Sequence, residues 1–191
     1  MPSAPRSRPT LVILRCVALS GSLRAQSSNS TLIDAAIALA PPTLAIERCA
    51  PLAALPHFNP DEDWTTIPAV VDWADQMRAA DGLIVSTPEY ARGIPGSLKN
   101  AFDWLVGTDA FVAKPFMLLN ASARSTHAPR ALTLVLTTMS GILVEDACAT
   151  VDLLAARLDR DAVVAHPGHA ARIAAALSAF AAAIAARREG G

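Results

Sequence analysis

The chain has 191 residues, of which 52% are hydrophobic and 17% are charged, and its formal net charge at pH 7 is −1. This composition supports a sizeable hydrophobic core and excludes intrinsic disorder, which requires low hydrophobicity and high net charge. A nearly neutral chain also lacks the strong field that attracts nucleic acid or anionic membranes, so we expect neither as a partner. The scattered cysteines Cys16, Cys49 and Cys148 form no C-x-x-C pair, which argues against a zinc knuckle and fits a reducing compartment.

Two apolar segments have features of targeting or membrane signals, but one is too short for a signal-peptide core and the other is too short to span a bilayer. Near the start, Arg15 interrupts the apolar run after four residues, which is shorter than the core of a secretory signal peptide. Near the end, the alanine-rich stretch 173–186 carries no charge over 14 residues. A bilayer span needs about 20 apolar residues. We therefore expect a cytoplasmic protein with a packed C-terminal helix.

The predicted elements alternate between strands and helices. Residues 1–9 hold three prolines and two arginines, so we expect a flexible tail before a single domain at 10–188. The expected strands are 11–19, 43–49, 83–86, 115–120 and a fifth that starts at 142–144. The expected helices, recognised by helical spacing of apolar residues, are 29–40, 67–80, 97–106, 128–139 and 170–188.

Three stretches are ambiguous or irregular. Residues 128–139 are expected to be helical, although the segment LTLVLTT within them has strong β character. Residues 145–158 either continue the fifth strand or form a helix. Residues 50–66 are rich in proline and acids and predict a long surface loop, whose acidic cluster at 61–63 is better explained as solvated loop than as a cation site.

The alternation of strands with helices predicts an α/β fold with a doubly wound parallel sheet. The first strand is apolar on both faces, as is typical of a parallel strand that helices cover on both sides. Such sheets bind ligands just beyond the carboxyl ends of their strands, near the point where the strand order reverses. We therefore expect the functional site in the loops after the first, third and fourth strands.

The loop after the first strand, SGSLRAQSSN at 20–29, combines a glycine with short polar side chains where a helix begins. Gly21 permits a tight turn, and amides at a helix N-terminus favour an anion. The candidate donors to a monophosphate are Ser22, Arg24, Ser27, Ser28 and Asn29. Alternatively, Ser28 or Asn29 only caps the helix, but several donors and a glycine in one turn favour phosphate binding. The loop matches neither the Walker A nor the dinucleotide G-x-G-x-x-G pattern.

The loop after the third strand, TPEYARGIPG at 87–96, is stiff at its prolines and permissive at its glycines. A stiff loop with exposed amides can hold the polar edge of a planar heterocycle, and Tyr90 offers an apolar face with a polar tip. An ordinary turn with Tyr90 packed on the surface explains the same residues equally well. The chemistry of the residues alone leaves these two interpretations open.

Two motifs together resemble a known family. GSLRAQSSN is similar to the phosphate loop G-S-x-R-x-x-S-x-N of the NADPH-dependent FMN reductase family. TPEYARGIPGSLKNAFDWL resembles that family's second motif, P-E-Y-N-x-x-[IP]-P-G-x-L-K-N-A-[IL]-D-W. The family includes bacterial chromate and quinone reductases and related azoreductases, and the resemblance covers roughly residues 10–185. It implies a flavodoxin-like fold, a five-stranded parallel sheet of order 2-1-3-4-5 in three α/β/α layers.

The resemblance also implies which residues bind FMN. The stretch from Ser22 to Asn29 would hold the phosphate. The isoalloxazine ring would be lined, largely through backbone groups, by Pro88, Glu89, Tyr90 and Ala91. Ser122, after the fourth strand, would approach the ring or the ribityl chain. The residues that would open and pack the next helix, in a region that contributes to a dimer interface in relatives, are Lys99, Asn100, Asp103 and Trp104.

Two departures from the family pattern concern the substrate pocket and not the fold. Ala91 replaces the usual Asn, which removes a side-chain donor near the flavin. The third loop, NASARSTHAPRA at 120–131, lacks the glycine pair of many relatives and carries Arg124, His127 and Arg130 instead. These three residues either meet the 2′-phosphate of NADPH or lie in a solvated loop and helix start.

The other candidate residues have structural explanations. His166 and His169 flank a Pro-Gly pair, and a capping or surface role is favoured over a metal site because no further ligands are signalled. The tryptophans, Trp64, Trp73 and Trp104, are expected to pack or to lie in an interface. We expect no metal, and we name no catalytic residue because a flavin carries the hard chemistry itself.

These features predict an oxidoreductase that passes electrons from NADPH or NADH through bound FMN to a flavin, quinone, azo or metal-oxyanion acceptor. Shared use of one flavin face by donor and acceptor predicts ping-pong kinetics. The family implies a homodimer or homotetramer. One alternative is a flavin-binding electron carrier without its own pyridine-nucleotide site, although a carrier usually has a strongly acidic surface. Another is a family member that binds a different phosphorylated ligand.

Overall fold

Strands and helices alternate through the computed structural model, which describes residues 12–49, 52–153 and 158–190; the predicted tail at 1–9 lies outside the described residues. The strands are β1 (Leu14–Ser20), β2 (Leu44–Arg48), β3 (Gly82–Ser86), β4 (Pro115–Asn120), β5 (Ile142–Leu143) and β6 (Ala149–Thr150). The helices are α1 (Ser28–Ala38), α2 (Pro68–Ala79), α3 (Gly96–Leu105), α4 (His127–Thr138), α5 (Arg160–Ala165) and α6 (Pro167–Glu189). Short 3₁₀ turns lie at Leu52–Ala54, Trp64–Thr66 and Glu145–Ala147.

The strands pair in the order β2-β1-β3-β4-β5, and β6 also pairs with β4. All of these pairings are parallel, with Val17 of β1 opposite Leu83 of β3 and Val85 of β3 opposite Leu118 of β4. The strand order reverses between β1 and β3, because the chain runs from β1 to one edge of the sheet and then returns to β3 on the other side of β1. This confirms the predicted doubly wound sheet of order 2-1-3-4-5.

Alternating side chains on the central strands contribute to two separate hydrophobic cores. Cys16 and Ala18 of β1 belong to the core that α1, α5 and α6 cover, whereas Val17 and Leu19 belong to the core under α2, α3 and α4. Every residue of β3 is buried, which requires cover on both faces of the sheet. The protein therefore has the predicted flavodoxin-like architecture of three α/β/α layers.

Helix α6 is long and apolar enough, by length and composition alone, to cross a membrane. Its large buried residues recur at spacings of three and four, which forms one stripe along the helix: Ile173, Leu177, Phe180 and Ile184. That stripe packs on the sheet so closely that a Cβ on Gly82 would lie 2.8 Å from both Phe180 and Ile184. Helix α6 thus packs one face against the sheet, as expected for the packed C-terminal helix that the sequence predicted.

The fifth position of the sheet is broken where the sequence was ambiguous. Strands β5 and β6 have two residues each, and the 3₁₀ turn Glu145–Ala147 separates them. Cys148 fills the gap, because the amide of Leu118 on β4 donates to its Sγ at 3.3 Å. The stretch 145–158 therefore continues the strand only at β6, and the following short helix, α5, begins beyond it; residues 154–157 lie outside the described part of the chain.

Candidate functional site

Three loops meet at the carboxyl edge of the sheet. They follow β1, β3 and β4 and comprise residues 21–27, 87–95 and 121–126. Since these strands are parallel neighbours, their carboxyl ends lie side by side at the reversal of strand order. All residues predicted to bind the cofactor lie in these loops or in the first turn of α1: Ser22, Arg24, Ser27, Ser28, Asn29, Pro88, Glu89, Tyr90, Ala91 and Ser122.

Gly21 joins the first loop to the second. Its amide donates to the Ser86 carbonyl at 2.8 Å. An ideal Cβ on Gly21 would lie 2.6 Å from Thr87 Oγ1 and 2.9 Å from Leu98 Cδ2. Thr87 and Leu98 are themselves buried, so neither can move aside without a change in packing. The close approach of the two loops therefore requires glycine at this position.

The N-terminus of α1 opens from the first loop. Ser27 is the N-cap, and its Oγ accepts from the Ser30 amide, so the cap is neither Ser28 nor Asn29. The amides of Ser28 and Asn29 lie in the first turn and have no carbonyl partner within the helix. No acidic residue offsets the helix dipole in this turn. This arrangement leaves donors and a partial positive charge for an anion.

The polar side chains of this first loop divide into two groups. Asn29 Oδ1 accepts from Ser86 Oγ at 2.9 Å, in a buried pair that ties α1 to β3. Ser22 Oγ accepts from the Arg24 amide at 3.3 Å, and Arg24 is exposed. The Asn29 side chain is thus committed to the fold, whereas Ser22, Arg24 and Ser28 remain at least partly accessible to a ligand.

Tyr90 begins a tight hairpin turn in the second loop. Its amide donates to the Gly93 carbonyl at 3.0 Å, and the Gly93 amide donates back at 2.9 Å. The two central residues have positive φ angles, 49° at Ala91 and 59° at Arg92, as in a type I′ turn. Such positions favour Gly, Asn or Asp, so the Asn of the family motif suits this turn better than Ala91 does.

Replacing Ala91 with Gly is expected to stabilise the protein. A left-handed residue with a Cβ costs about 1–2 kcal/mol, and glycine removes this cost. The greater flexibility of Gly in the unfolded chain offsets part of that stabilisation. We expect a net increase of about 0.5–1 kcal/mol in the free energy of unfolding, measured by urea titration. The exposed helical control Ala175→Gly should lose about 1 kcal/mol. A loss at both positions would contradict the left-handed turn.

The side chain of Glu89 crosses from the second loop to the third. Its Oε2 accepts from the His127 amide at 2.8 Å, the Ala128 amide at 3.0 Å and the Ser125 hydroxyl at 3.2 Å. The two amides open α4, whose N-cap residue, Thr126, makes no side-chain cap hydrogen bond. The Ala128 amide, then the His127 amide and the Ser125 hydroxyl, hold the pKa of the Glu89 carboxyl below its usual value. The sequence predicted that Glu89 lines the ring largely through backbone groups, and it did not reveal this side-chain contact with α4.

Ser122 lies in a tight turn of the third loop. Its Oγ accepts from the Arg124 amide at 3.2 Å, and its carbonyl accepts from the Ser125 amide at 3.1 Å. Asn120 braces the turn, because it accepts from the Ser122 amide at 3.3 Å and donates to the Ser125 carbonyl at 3.0 Å. Ser122 is buried, whereas Arg124, His127 and Arg130 are exposed around it.

The loop at 50–66 is held on α3 where the structure describes it. Asn100 donates from Nδ2 to the Pro56 carbonyl at 2.8 Å and accepts from the Phe58 amide at 2.7 Å. Trp104 Nε1 donates to the same Pro56 carbonyl at 2.9 Å, and its ring packs edge-on against Phe58 at 5.1 Å. Asn100 and Trp104 therefore anchor a loop of their own chain, a contact that the sequence did not reveal.

His166, Cys16 and Cys148 have structural surroundings in the described part of the chain. Among residues 12–49, 52–153 and 158–190, no group of three or more His, Cys, Asp or Glu is placed to hold a metal ion. His166 caps α6, because its Nδ1 accepts from the His169 amide at 3.3 Å. Burial raises the pKa of the Cys16 thiol to about 12 and also raises that of Cys148. Such thiols stay protonated and unreactive near neutral pH.

The fold and the three loops define a doubly wound α/β protein of the flavodoxin type, with the N-terminus of α1 at the reversal of strand order. A model of the NADPH-dependent FMN reductase family matches residues 14–153. The chain belongs to that family, which confirms the resemblance drawn from its two motifs.

Individual proteins are similar over part or all of the chain. An NAD(P)H-dependent FMN reductase of Pseudomonas aeruginosa is 40% identical over 113 residues, which are 58% of this chain and 60% of that protein. A quinone reductase of Escherichia coli K12 is 34% identical over 57% of this chain and 60% of its own. The chain thus spans about three-fifths of the length of these two curated relatives.

A solved structure shares the fold over nearly the whole chain. The flavoenzyme NAD(P)H:(acceptor) oxidoreductase of Paracoccus denitrificans superposes with a TM-score of 0.76. The superposition covers 91% of this chain and 98% of that one, at 24% sequence identity. At that identity the likeness establishes the fold.

Proposed function

We propose that this protein is an FMN-dependent NAD(P)H oxidoreductase that passes electrons to a small-molecule acceptor, such as a flavin, quinone, azo compound or metal oxyanion. The single observation that carries the proposal is the convergence of both family motifs at one edge of the sheet, at the reversal of strand order. The relatives named as FMN and quinone reductases support the same class of reaction.

The first loop suits the FMN phosphate. The amides of Ser28 and Asn29 supply unpaired donors, and the dipole of α1 supplies partial positive charge. Ser22 adds a hydroxyl, and Arg24 adds an exposed guanidinium that can donate charge-assisted hydrogen bonds to a phosphate. Ser27 contributes by capping the helix, which keeps the first-turn amides in line.

The second and third loops suit the isoalloxazine ring. The stretch Pro88–Ala91 offers backbone groups to the polar edge of the ring, and Tyr90, half exposed, offers an apolar face. Ser122 lies in a turn of the neighbouring loop, from which it would approach the ring or the ribityl chain. When bound, FMN would supply the two-electron redox chemistry between a nicotinamide and a second acceptor. The chain's own residues bind and orient it, and none is required as an acid or base.

Arg124 in the third loop and Arg130 in the first turn of α4 are exposed, and they would suit a phosphate of the electron donor. Arg124 and Arg130 form no ion pair with any described residue, so their guanidinium groups are available to a phosphate. With His127 they would favour NADPH over NADH. We further propose a cytoplasmic protein, a single domain over 10–188 and a homodimer or homotetramer, as the family resemblance implies.

The test is the visible absorption spectrum of the protein purified with added FMN, recorded before and after anaerobic addition of NADPH. We expect flavin bands that stay with the protein on gel filtration and bleach on mixing. Bound flavin that NADPH and NADH both leave oxidised would favour an electron carrier without a pyridine-nucleotide site. Protein that takes up no FMN would contradict the proposal and point to another phosphorylated ligand.

A further inference from the structure

We propose that Glu89 is a positioning residue whose side chain, by capping α4, fixes the ring-lining loop against the third loop in the geometry that FMN binding requires. The inference rests on the proposed function, because it assigns a role within the same site. It goes beyond the sequence expectation, in which Glu89 lines the ring largely through backbone groups.

The hydrogen bonds of Glu89 span two loops that are distant in sequence. The carboxylate belongs to the second loop, and its partners, the amides of His127 and Ala128 and the Ser125 hydroxyl, lie 36 to 39 residues further along the chain. Because Tyr90 is the next residue, the anchored carboxylate restrains the backbone at the start of the hairpin turn. Glu89 thus transmits the position of α4 to the ring-lining stretch.

The partner side of this contact is rigid. Asn120, at the end of β4, holds both the Ser122 amide and the Ser125 carbonyl, which fixes the third loop on a central strand of the sheet. The hairpin, in contrast, contains two left-handed residues with a Cβ, Ala91 and Arg92. Backbone in such conformations persists only where surrounding contacts determine it strongly. The Glu89 carboxylate supplies such a contact.

The charge of Glu89 is part of the role. Helix α4 has no acidic residue in its first turn, and its N-cap residue contributes no side-chain bond. An anion at this helix terminus is therefore favoured by both the dipole and the free amides. A neutral side chain would weaken all three hydrogen bonds at once and loosen the hairpin from the helix.

The experiment compares Glu89→Gln with a matched change elsewhere. Asp159 caps α5 in the same way, with Oδ1 accepting from the Ala162 amide at 2.8 Å, so Asp159→Asn removes the same charge from another helix terminus. Tyr90 is the only tyrosine in the chain, so 3-fluorotyrosine labelling yields a single ¹⁹F resonance from the hairpin. This resonance is read in the protein without flavin, and FMN affinity is read by quenching of flavin fluorescence.

We expect Glu89→Gln to weaken FMN binding about tenfold and to shift or broaden the Tyr90 resonance, whereas Asp159→Asn changes neither. Ser125→Ala, which removes one of the three hydrogen bonds, should act in the same direction but less, and serves if Glu89→Gln does not fold. Equal FMN affinity and an unmoved resonance in Glu89→Gln, or equal losses in Asp159→Asn, would overturn the inference. If the wild type itself takes up no FMN, the proposed function fails, while the ¹⁹F comparison still decides whether Glu89 positions the hairpin.

Discussion

Gly21→Val is expected to abolish retention of FMN and to destabilise the protein without ligand. Even the first added carbon would lie 2.6 Å from Thr87 Oγ1 and 2.9 Å from Leu98 Cδ2, far inside van der Waals contact. Both neighbours are buried, so relief requires the first loop to separate from the second. Overpacking of this kind costs about 1–3 kcal/mol. The separation would also break the hydrogen bond that the Gly21 amide donates to the Ser86 carbonyl. This hydrogen bond holds the first loop against the end of β3.

Two measurements check this expectation, the urea midpoint of the apo-protein and the flavin-to-protein absorbance ratio after gel filtration. Gly21→Ala should show the same losses to a smaller extent, because it adds one carbon instead of three. Gly107→Ala is the control, since a Cβ there meets nothing within 4 Å. Retention of FMN by Gly21→Val at the wild-type ratio would show that the two loops need not touch.

The elements that the sequence predicted well are those whose patterns depend on burial alone. The strand at 115–120 was predicted to the residue, because it is a continuous apolar run between turns. Helix α4 was harder, since LTLVLTT has β character. Leu132 and Leu136 lie one turn apart and are both buried in the core, and this tertiary packing outweighs the local propensity.

The features that the sequence did not reveal depend on contacts between distant residues. The break between β5 and β6 is stabilised by Cys148, whose Sγ replaces a backbone acceptor for Leu118, and no local pattern signals such a replacement. The cap of α4 comes from Glu89, so the usual search for a cap at Thr126 fails. The one signal available in the sequence was the lack of an acidic residue in the first turn of α4, which leaves room for an anion from another part of the chain.

The same distinction applies to the candidate site. The strand-order rule predicted that three loops lie together at one edge of the sheet, and the two motifs lie in the first two of these loops. The motifs did not separate residues that face a ligand from those that hold the loops in place. Asn29 illustrates this, since its side chain accepts from buried Ser86, while its amide remains in the first turn of α1. In Asn29 the side chain therefore stabilises the fold, whereas the backbone amide stays available at the start of α1.

Ser28→Glu is expected to separate the stability of α1 from its capacity to bind phosphate. Ser28 is the first residue of α1, where no acidic side chain is present, so a carboxylate there should stabilise the helix by about 0.3–1 kcal/mol. The same carboxylate would repel an FMN phosphate. Two unit charges about 5 Å apart at an effective dielectric constant of about 20 repel by about 3 kcal/mol, which corresponds to a loss of roughly a hundredfold in affinity.

The measurements are the melting temperature of the apo-protein and the dissociation constants of FMN and riboflavin. The melting temperature should stay equal or rise, and FMN affinity should fall. Riboflavin lacks the phosphate, so its weaker binding should not change. Ser28→Gln, which is neutral and of the same size, controls for steric effects and should bind FMN nearly as the wild type does. Parallel losses for FMN and riboflavin would place the phosphate away from the α1 terminus, because only a charge effect distinguishes the two ligands.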